Sequence, residues 1–366
     1  MTEVPQWQAP GRVNLIGEHL DYNGGPVLPM AINRRTTVKA RQRDDDLVRV
    51  WTTHDGNQRA EFRTDVAPHD VSGWASYAAA MFWALAQDGH QIDGFDLVLD
   101  SDVPAGAGLS SSAAIECAIG LAVCDLSGIT LDPIDLALLA QRAENDFIGV
   151  PSGAMDQLAS MCGKAGHAVF IDFGTERPTV REVEATWAQD DLALLVIDTK
   201  AHHALADGEY AARRTECEEA AKELGIERLA KAGPDAVLRL EDETLKKRTR
   251  HVITETARTR GAIRALSTRN WTQFGAMLTA SHASLRDDFD VSCPELDVAV
   301  SASLEAGALG ARMTGGGFGG SAIALVARDG IAGLRERVEA QFSAHQWTRP
   351  EAWVVEPAAG ASTMDV

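Results

Sequence analysis

The segment from Phe95 to Cys124 constrains the fold most, because it places a strand, a glycine-rich turn and a helix in immediate succession. The run Phe95–Ser101 is short and β-rich, and the turn VPAGAGL follows it. From about Ser110 the apolar residues recur at helical spacing as far as Cys124. Glycine lets a backbone approach a bound phosphate closely, and a helix N-terminus carries roughly half an elementary charge of positive sign. The segment therefore predicts either a phosphate cradle or a plain strand-to-helix turn that uses glycine.

The turn lacks the lysine that phosphate-binding loops of the P-loop class carry. Those loops end in Gly-Lys-Ser/Thr, and their lysine reaches the outer phosphates. Here the serines Ser110–Ser112 open the helix instead, and hydroxyl groups there can bind phosphate oxygens or magnesium. We therefore expect the helix dipole and a metal ion together to supply the missing positive charge.

The net charge makes a local supply of positive charge necessary. The 366 residues include 34 Lys and Arg against 53 Asp and Glu, a formal balance of -19 at pH 7. Such a surface repels nucleic acid and anionic membranes, so neither is an expected partner. A polyphosphate ligand therefore needs a site where local positive charge outweighs the negative charge of the rest of the protein.

Cysteine usage and the N-terminal residues predict a soluble cytoplasmic protein. The five cysteines are scattered without CxxC spacing, which favours reduced thiols. The first residues, MTEVPQWQAPGR, show no basic region followed by an apolar core. No apolar run approaches the roughly 20 residues that a membrane-spanning helix needs. A monomer is the expected oligomeric state.

Strands and helices alternate irregularly along the chain, which predicts α+β layers and not a doubly wound parallel sheet. Short β-rich runs lie at 38–40, 47–53, 95–101, 167–172, 192–197 and 321–326. Helical patterns lie at 110–124, 133–147, 208–224, 250–284 and 294–306. A chain of this length fits two domains, and the charged, irregular stretch 176–191 places them at 1–190 and 191–366. We also expect a glycine-rich turn at 310–320 and a frayed tail from Ala358.

Glu144 is a candidate metal ligand on the helix that opens at Asp132-Pro133 and ends before Gly149. It follows Ala140 by four residues, which places it at the edge of the apolar face. A carboxylate is a preferred protein ligand for magnesium that carries a triphosphate. From the residue pattern alone, a solvated Glu144 is the favoured interpretation, and a metal ligand is the alternative.

A second segment, GRVNLIGEHLDYNGGPVLPMAI at 11–32, crowds strong hydrogen-bonding groups between apolar flanks. These groups are Arg12, Asn14, Glu18, His19, Asp21, Tyr22 and Asn23. Such a cluster is costly to desolvate unless it meets a polar ligand. Carboxylate, imidazole and amide groups supply both acceptors and donors, so a site for sugar hydroxyls is one interpretation. A polar surface turn with a hairpin at Asn23-Gly24-Gly25 is the other.

A third segment, GVPSGAMDQLAS at 149–160, predicts a helix start. Ser152 is the expected N-cap, and Asp156 falls in the first turn, where the helix dipole favours an ionised carboxylate. An ionised carboxylate beside a nucleophilic hydroxyl can act as a base or an orienting group in phosphoryl transfer. The pattern alone favours an ordinary first-turn aspartate over such a role.

Taken together, these segments resemble the galactokinase family, a branch of the GHMP small-molecule kinases. GRVNLIGEHLDYNGG resembles the galactokinase signature, PAGAGLSSSAA resembles the GHMP phosphate loop, and GARMTGGGFGGSAIAL at 310–325 resembles the third GHMP motif. The stretches SLRDDFDVSCPEL and GEYAARRTECEEA are also similar to galactokinase segments. The resemblance runs from about Ala9 to Val326 and so covers most of the chain.

The resemblance implies a two-domain GHMP kinase fold, with a ribosomal-protein-S5-like N-terminal domain, a ferredoxin-like C-terminal domain and the active site between them. It implies catalytic roles for Arg12 and Asp156 at the reacting sugar hydroxyl. The implied sugar-binding residues are Arg12, Glu18, His19, Asp21, Gly153, Asp156 and Tyr210. The implied ATP-binding residues are Gly106, Ala107, Gly108, Leu109, Ser110, Ser111 and Ser112, with Trp74 near the adenine. The implied ligands of Mg²⁺ are Ser112 and Glu144.

The activity that the resemblance implies is ATP-dependent phosphorylation of D-galactose at the anomeric C1 hydroxyl, giving galactose 1-phosphate and ADP, in galactose catabolism. The alternatives are a kinase for N-acetylgalactosamine or arabinose, and a sensor of galactose and ATP that does not catalyse. The intact SSSAA string and Asp156 argue against the sensor. The family's usual EHTDYN reads EHLDYN here, so Leu20 replaces a hydroxyl beside the sugar-binding residues and leaves sugar specificity open.

Overall fold

A computed structural model of the chain describes residues 4–53, 57–202 and 206–364. Within these ranges the strands are β1 (Gln6–Asn14), β2 (Pro26–Val27), β3 (Pro29–Gln42), β4 (Leu47–Thr52), β5 (Arg59–Arg63), β6 (Phe95–Ser101), β7 (His167–Asp172), β8 (Thr179–Glu184), β9 (Leu192–His202), β10 (Gly310–Thr314), β11 (Gly319–Ala327), β12 (Glu351–Val355) and β13 (Ser362–Met364). The α-helices are α1 (Ser76–Gln87), α2 (Ser111–Leu126), α3 (Pro133–Arg142), α4 (Met155–Cys162), α5 (Ala206–Leu224), α6 (Glu243–Ser267), α7 (Trp271–Ser284), α8 (Pro294–Glu305) and α9 (Ile331–Ala344).

The strands form a six-stranded, a four-stranded and a three-stranded sheet in the described ranges. Their orders are β13-β1-β3-β6-β4-β5, β10-β11-β9-β12 and β2-β7-β8. Neighbouring strands are antiparallel except for the pair β4 and β6. This arrangement confirms the α+β class and excludes a doubly wound parallel sheet.

Helix α2 forms directly after the glycine-rich turn, as the sequence predicts. Gly106 and Gly108 adopt φ values of 73° and 72°, and Ser110, at the N-cap, adopts φ 58°. Left-handed backbone suits Gly106 and Gly108, which lack a Cβ, whereas Ser110 adopts it as a non-glycine residue. Past the turn, α2 packs on β1 and β3 and buries apolar residues such as Ile119. The first sheet therefore fixes where the N-terminus of α2 points.

Helix α3 begins at the predicted residue and continues into a wider turn. The Asp132 side chain caps it by accepting from the backbone N–H of Ile134 at 2.9 Å and of Asp135 at 3.0 Å. A π-helical turn follows at Ala143–Ile148, and Gly149 ends it with φ 90°. Turns of this kind are frequent at functional sites. This one carries Glu144 into the protein interior.

Three local predictions are wrong, two because a neighbouring strand along the chain supplies the hydrogen bonds and one because a distant strand does. The stretch 176–191 is not irregular, since it contains β8, which pairs with β7. The segment 310–320 begins as β10 and turns only after Thr314. The tail is ordered, because Ala358 N–H donates to Ala31 O at 2.9 Å and β13 pairs with β1. The C-terminal residues thus return to the sheet of the N-terminal part.

All five cysteines are free thiols. Burial raises the pKa of Cys124 to about 12, so this thiol stays protonated and unreactive.

Across the ranges given above, every helix is too short or too polar to cross a bilayer.

Candidate active site

A cavity of about 710 Å³ lies where the loop after β1, the loop before α4, the start of α5 and the turn between β10 and β11 meet. The predicted site residues that line it are Arg12, Glu18, His19, Asp21, Glu144, Gly153, Asp156 and Tyr210. Residues separated by most of the chain are thus brought to one concave surface. A few convergent polar groups in an otherwise apolar cleft are the usual sign of a small-molecule site.

The pair Arg12 and Asp156 forms the polar centre of this cavity. Arg12 Nε donates to Asp156 Oδ1 at 2.8 Å, and Nη2 donates to Oδ2 at 2.7 Å. This two-point contact fixes both side chains in one plane. Arg12 lies on β1 and is buried, whereas the Asp156 side chain is 29 % exposed and faces the cavity. Asp156 is therefore held rigidly while its carboxylate remains open to a ligand.

The glycine-rich loop Gly106–Ser112 contacts both members of this pair. Arg12 Nη1 donates to Gly108 O at 2.6 Å, and the Ser110 hydroxyl donates to Asp156 Oδ2. Farther along, Ser321 Oγ on β11 donates to Ala107 O at 2.7 Å. The loop is thus anchored through its carbonyl oxygens. The start of α2 and the sugar-signature residues meet at Asp156.

Ser152 does not cap α4, contrary to the prediction. The N-cap residue is Ala154. Ser152 Oγ instead donates to Glu144 Oε2 at 2.8 Å and to Asn145 Oδ1 at 3.1 Å. A π-helical turn that sequence patterns do not reveal carries both acceptors to this position. Asp156 lies in the first turn of α4, as predicted.

The signature segment is buried, so its interpretation as a polar surface hairpin is wrong. Arg12, Asn14, Glu18, His19 and Asn23 are each at most 4 % exposed. Burial of so many polar groups is costly without partners. Arg12, Glu18 and His19 have internal partners, and Asn23 Nδ2 donates to His19 O at 2.7 Å, whereas the Asn14 side-chain amide has no hydrogen-bond partner among the described residues.

Glu18 joins the signature segment to the turn after β10. Its Oε1 accepts from Gly315 N–H at 2.8 Å and from Arg312 Nη1 at 3.2 Å. Its Oε2 is buried and has no hydrogen-bond partner among the described residues. Burial raises the pKa of Glu18 to about 7, against the opposing effect of the Arg312 charge. One carboxylate oxygen is therefore fixed, and the other is left as an acceptor.

His19 is held in a neutral form by its surroundings. Its Nε2 lies 3.1 Å from Gly316 O, so Nε2 carries the proton, and Nδ1 accepts from the Tyr22 hydroxyl at 2.8 Å. Burial lowers the pKa of His19 to about 3. The Tyr210 ring lies 5.4 Å from the imidazole between centroids and closes one side of the cavity.

Asp21 and Asp156 both line the cavity. Burial, followed by the negative charge of Asp156, raises the pKa of Asp21 to about 6. Hydrogen bonds from backbone N–H groups, including that of Met155, act in the opposite direction. A carboxyl group with a raised pKa that lines a cavity is typical of a functional site.

Glu144 is 7 % exposed, so its interpretation as a solvated residue is wrong. Its Oε2 accepts from Ser152 Oγ at 2.8 Å and from Gln157 Nε2 at 2.9 Å. Burial raises the pKa of Glu144, and hydrogen bonds from Ser152, Gln157 and Ser112 oppose this effect. The contact with Ser112 places a carboxylate beside a hydroxyl at the N-terminus of α2. Both are hard oxygen donors, so this pair fits the preferences of Mg²⁺.

A multidentate protein cage for a metal is absent from the described residues, where no three His, Cys, Asp or Glu side chains group suitably. Mg²⁺ bound with a nucleotide needs only one or two protein ligands. The donor set of Ser112 and Glu144 is consistent with that mode.

Two residues that the sequence analysis singled out lie outside the cavity lining. Trp74 is in a 3-10 turn, Gly73–Ala75, where it packs half-buried against the main core and is not part of the cavity lining. Leu20 is fully buried in the same core and likewise does not line the cavity. The substitution that left sugar specificity open therefore changes core packing instead of the cavity surface.

Sequence reasoning missed the residues that support the site from inside. Arg312 is fully buried in β10 and contacts Glu18, and Gln157 is fully buried beside Glu144. The Gly315–Phe318 turn lines the cavity as well. The sequence could have indicated Arg312, because this arginine lies between apolar residues in a predicted strand region. For Gln157, only its position next to Asp156 could have indicated a role.

Three family models match the chain. "Galactokinase galactose-binding signature" covers residues 3–42, "GHMP kinases N terminal domain" covers 76–164, and "GHMP kinases C terminal" covers 262–344. The Methanococcus jannaschii mevalonate kinase structure has the same fold, with a TM-score of 0.68, 20 % identity and coverage of 97 % of this chain and 99 % of that one. Fold and site thus define a GHMP kinase.

More similar proteins narrow this class. A galactokinase of Streptomyces coelicolor is 45 % identical over 361 residues, which is 97 % of this chain and 93 % of that protein. A galactokinase of Mycobacterium tuberculosis is 44 % identical over 327 residues, 88 % of each chain. The structure of Lactococcus lactis galactokinase complexed with galactose matches with a TM-score of 0.93 and 37 % identity, over 99 % of this chain and 96 % of that one. The chain belongs to the galactokinase family.

Proposed function

We propose that this enzyme transfers the γ-phosphoryl group of ATP to the anomeric C1 hydroxyl of D-galactose, giving galactose 1-phosphate and ADP in galactose catabolism. The observation that carries the proposal is the assembly of the galactose-binding signature around the Arg12 and Asp156 pair, within a chain of the galactokinase family. The match to a galactose-bound galactokinase over nearly the whole chain supports the same substrate.

The sugar occupies the cavity in this proposal. Glu18 and Asp21 supply acceptors for its hydroxyl groups, and His19 and Tyr210 lie beside it. Gly153 keeps the loop before α4 close to Asp21, since it has no side chain to intervene. The reacting C1 hydroxyl lies at Asp156.

Asp156 orients the C1 hydroxyl or accepts its proton, and Arg12 holds the carboxylate and stabilises charge on the transferring group. The two-point contact between them makes this geometry rigid before substrate binds. Phosphoryl transfer proceeds through a loose transition state, so positioning and electrostatic stabilisation supply most of the catalysis.

The phosphates bind at Gly106, Ala107, Gly108, Leu109, Ser110, Ser111 and Ser112 in this proposal. Their negative charge is met by the N-terminus of α2 and by Mg²⁺. Ser112 and Glu144 would hold that ion, whose chemical contribution is to neutralise charge on the phosphates. Trp74 remains our candidate for the adenine side, although it lies outside the cavity lining. We further propose that the protein is a cytoplasmic monomer.

A parallel assay of ADP release tests the proposed substrate. Galactose, glucose, arabinose, N-acetylgalactosamine and homoserine are offered at equal concentration with MgATP. We expect the highest kcat/KM with galactose. A higher value with N-acetylgalactosamine or arabinose would reassign the sugar, and turnover of homoserine without galactose would reject the sugar kinase. Galactose binding without ADP release from any substrate would indicate the sensor.

A further inference from the structure

A buried polar cluster lies next to Asp156 and reaches the cavity through Glu144. It consists of Glu116, Glu144 and Gln157, which are 0 %, 7 % and 0 % exposed. Gln157 Nε2 donates to Glu144 Oε2 at 2.9 Å and to Glu116 Oε2 at 3.2 Å. One side-chain amide thus uses both of its N–H groups to bridge two carboxyl groups.

The bridge joins the elements that carry the proposed chemistry. Glu116 lies on α2, the helix that begins at the phosphate loop, and Glu144 lies in the π-helical turn after α3. Gln157 follows Asp156 in α4. A change in the rotamer of Gln157 would therefore move Glu144 relative to α2 and the loop before it. Gln157 would do so without contacting a substrate.

The cluster is expensive to bury, which argues against a purely structural role. Glu116 Oε1 and Gln157 Oε1 are buried and have no hydrogen-bond partner among the described residues. An unsatisfied buried polar atom costs about 1 to 3 kcal/mol. Departures of this kind from good packing are concentrated at functional sites.

Two hydrogen bonds to the Glu144 carboxylate are accepted by the same oxygen atom. Ser152 Oγ and Gln157 Nε2 both donate to Oε2, so neither of these donors occupies Oε1. Fixing one oxygen restricts rotation of the carboxylate about its last bond. Supporting hydrogen bonds of this sort orient metal ligands in other proteins and are worth roughly 10- to 100-fold in metal affinity.

We propose that Gln157 is a positioning residue that holds Glu144 for Mg²⁺, with Glu116 as the anchor on the phosphate-loop helix. This inference rests on the proposed function, in which Glu144 helps to hold the ion. It assigns Gln157 no contact with sugar or nucleotide.

Calorimetric titration with a non-hydrolysable ATP analogue tests this role without turnover. Each protein is titrated with the analogue in excess Mg²⁺ and again in EDTA, and the ratio of the two affinities is the Mg²⁺ gain. We expect Gln157→Met to reduce the gain about 10-fold or more, with the affinity in EDTA and the affinity for galactose unchanged. An unchanged gain in folded Gln157→Met would overturn the proposal.

Ser160→Ala is the matched control. Ser160 lies in the same helix, is 1 % exposed and donates a buried hydrogen bond to Pro10 O at 2.7 Å. Its loss should lower the thermal midpoint without changing the Mg²⁺ gain, so an equal loss of gain in this control would contradict a specific role for Gln157.

Gln157→Asn carries the test if the Met variant does not fold, because the shorter amide cannot reach both carboxyl groups. The same loss of gain is expected, and a retained gain would again overturn the proposal. A wild-type protein with no Mg²⁺ gain would instead refute the proposed metal role of Glu144. That outcome is distinct from a wild-type gain that survives in the Gln157 variants.

Discussion

Gly153 and Asp21 lie so close together that a Cβ on Gly153 would be 1.9 Å from Asp21 Oδ2. The backbone before α4 therefore packs directly on the Asp21 carboxylate, which lines the cavity. A hydrogen bond from Met155 N–H holds the same carboxylate. The absence of a side chain at Gly153 and the position of Asp21 are two parts of one arrangement.

Gly153→Ala should weaken galactose binding by about tenfold or more. The added methyl group must displace the Asp21 carboxylate, because Cβ contacts below 3.0 Å are not tolerated. Calorimetry with galactose measures the effect. Gly333→Ala is the control, since a Cβ there meets nothing within 4 Å. Wild-type affinity in Gly153→Ala would show that the carboxylate can move without loss.

Galactose binding should weaken as the pH falls below about 7, first through protonation of Glu18 and then through protonation of Asp21. The raised pKa of Asp21, about 6, means that its carboxylate form is lost in this range and not near pH 4. The charged form is the stronger acceptor for a sugar hydroxyl. The sign for stability is opposite, since an Asp with a raised pKa destabilises the fold as the pH rises from 3.8 through 6. Galactose affinity that is flat between pH 5 and 8 would contradict this role.

Discrimination between sugars should also depend on Asp21. In our proposal the carboxylate accepts from the axial 4-hydroxyl of galactose, and glucose places that hydroxyl elsewhere. A buried acceptor left unpaired costs roughly 1 to 3 kcal/mol, or more when it is charged. The kcat/KM for galactose should therefore exceed that for glucose at least tenfold, and Asp21→Asn should reduce the ratio. Equal use of both sugars by the wild-type enzyme would remove Asp21 from specificity.

Glu144→Ala and Ser112→Ala should impair the use of MgATP more than the binding of galactose. Each substitution removes one hard oxygen donor beside the phosphate loop, where the acidic chain offers little compensating charge. Steady-state kinetics at varied MgATP, with separate galactose calorimetry, distinguishes the two effects. An unchanged KM for MgATP and unchanged turnover in Glu144→Ala would exclude a metal role.

The fold class and several local turns could be predicted from the pattern of residues, whereas the roles of the cavity residues were implied by the resemblance to the galactokinase family. The turn at Gly106 and Gly108 requires left-handed backbone, and Asp132-Pro133 caps a helix by short-range hydrogen bonds. The ordered tail could not be predicted, since β13 is stabilised by β1, more than three hundred residues away.

The interior support of the site was also beyond the sequence pattern. Burial of Glu144 depends on a π-helical turn that shifts the helical register, and periodicity of 3.6 residues places the same side chain at the edge of the apolar face. Gln157 resembles any polar residue in a first helical turn until its contacts with Glu116 and Glu144 are known. Such roles arise from tertiary contacts alone.

The turnover of Asp156 variants tests the central claim most directly. Asp156→Ala and Asp156→Asn are assayed for ADP release with galactose and MgATP, and galactose binding is measured by calorimetry to confirm a folded site. We predict that Ala lowers kcat about 100-fold or more, that Asn is nearly as inactive, and that both still bind galactose. A strongly active Asn variant would favour orientation over proton acceptance, and a fully active Ala variant would contradict any role of Asp156 in phosphoryl transfer.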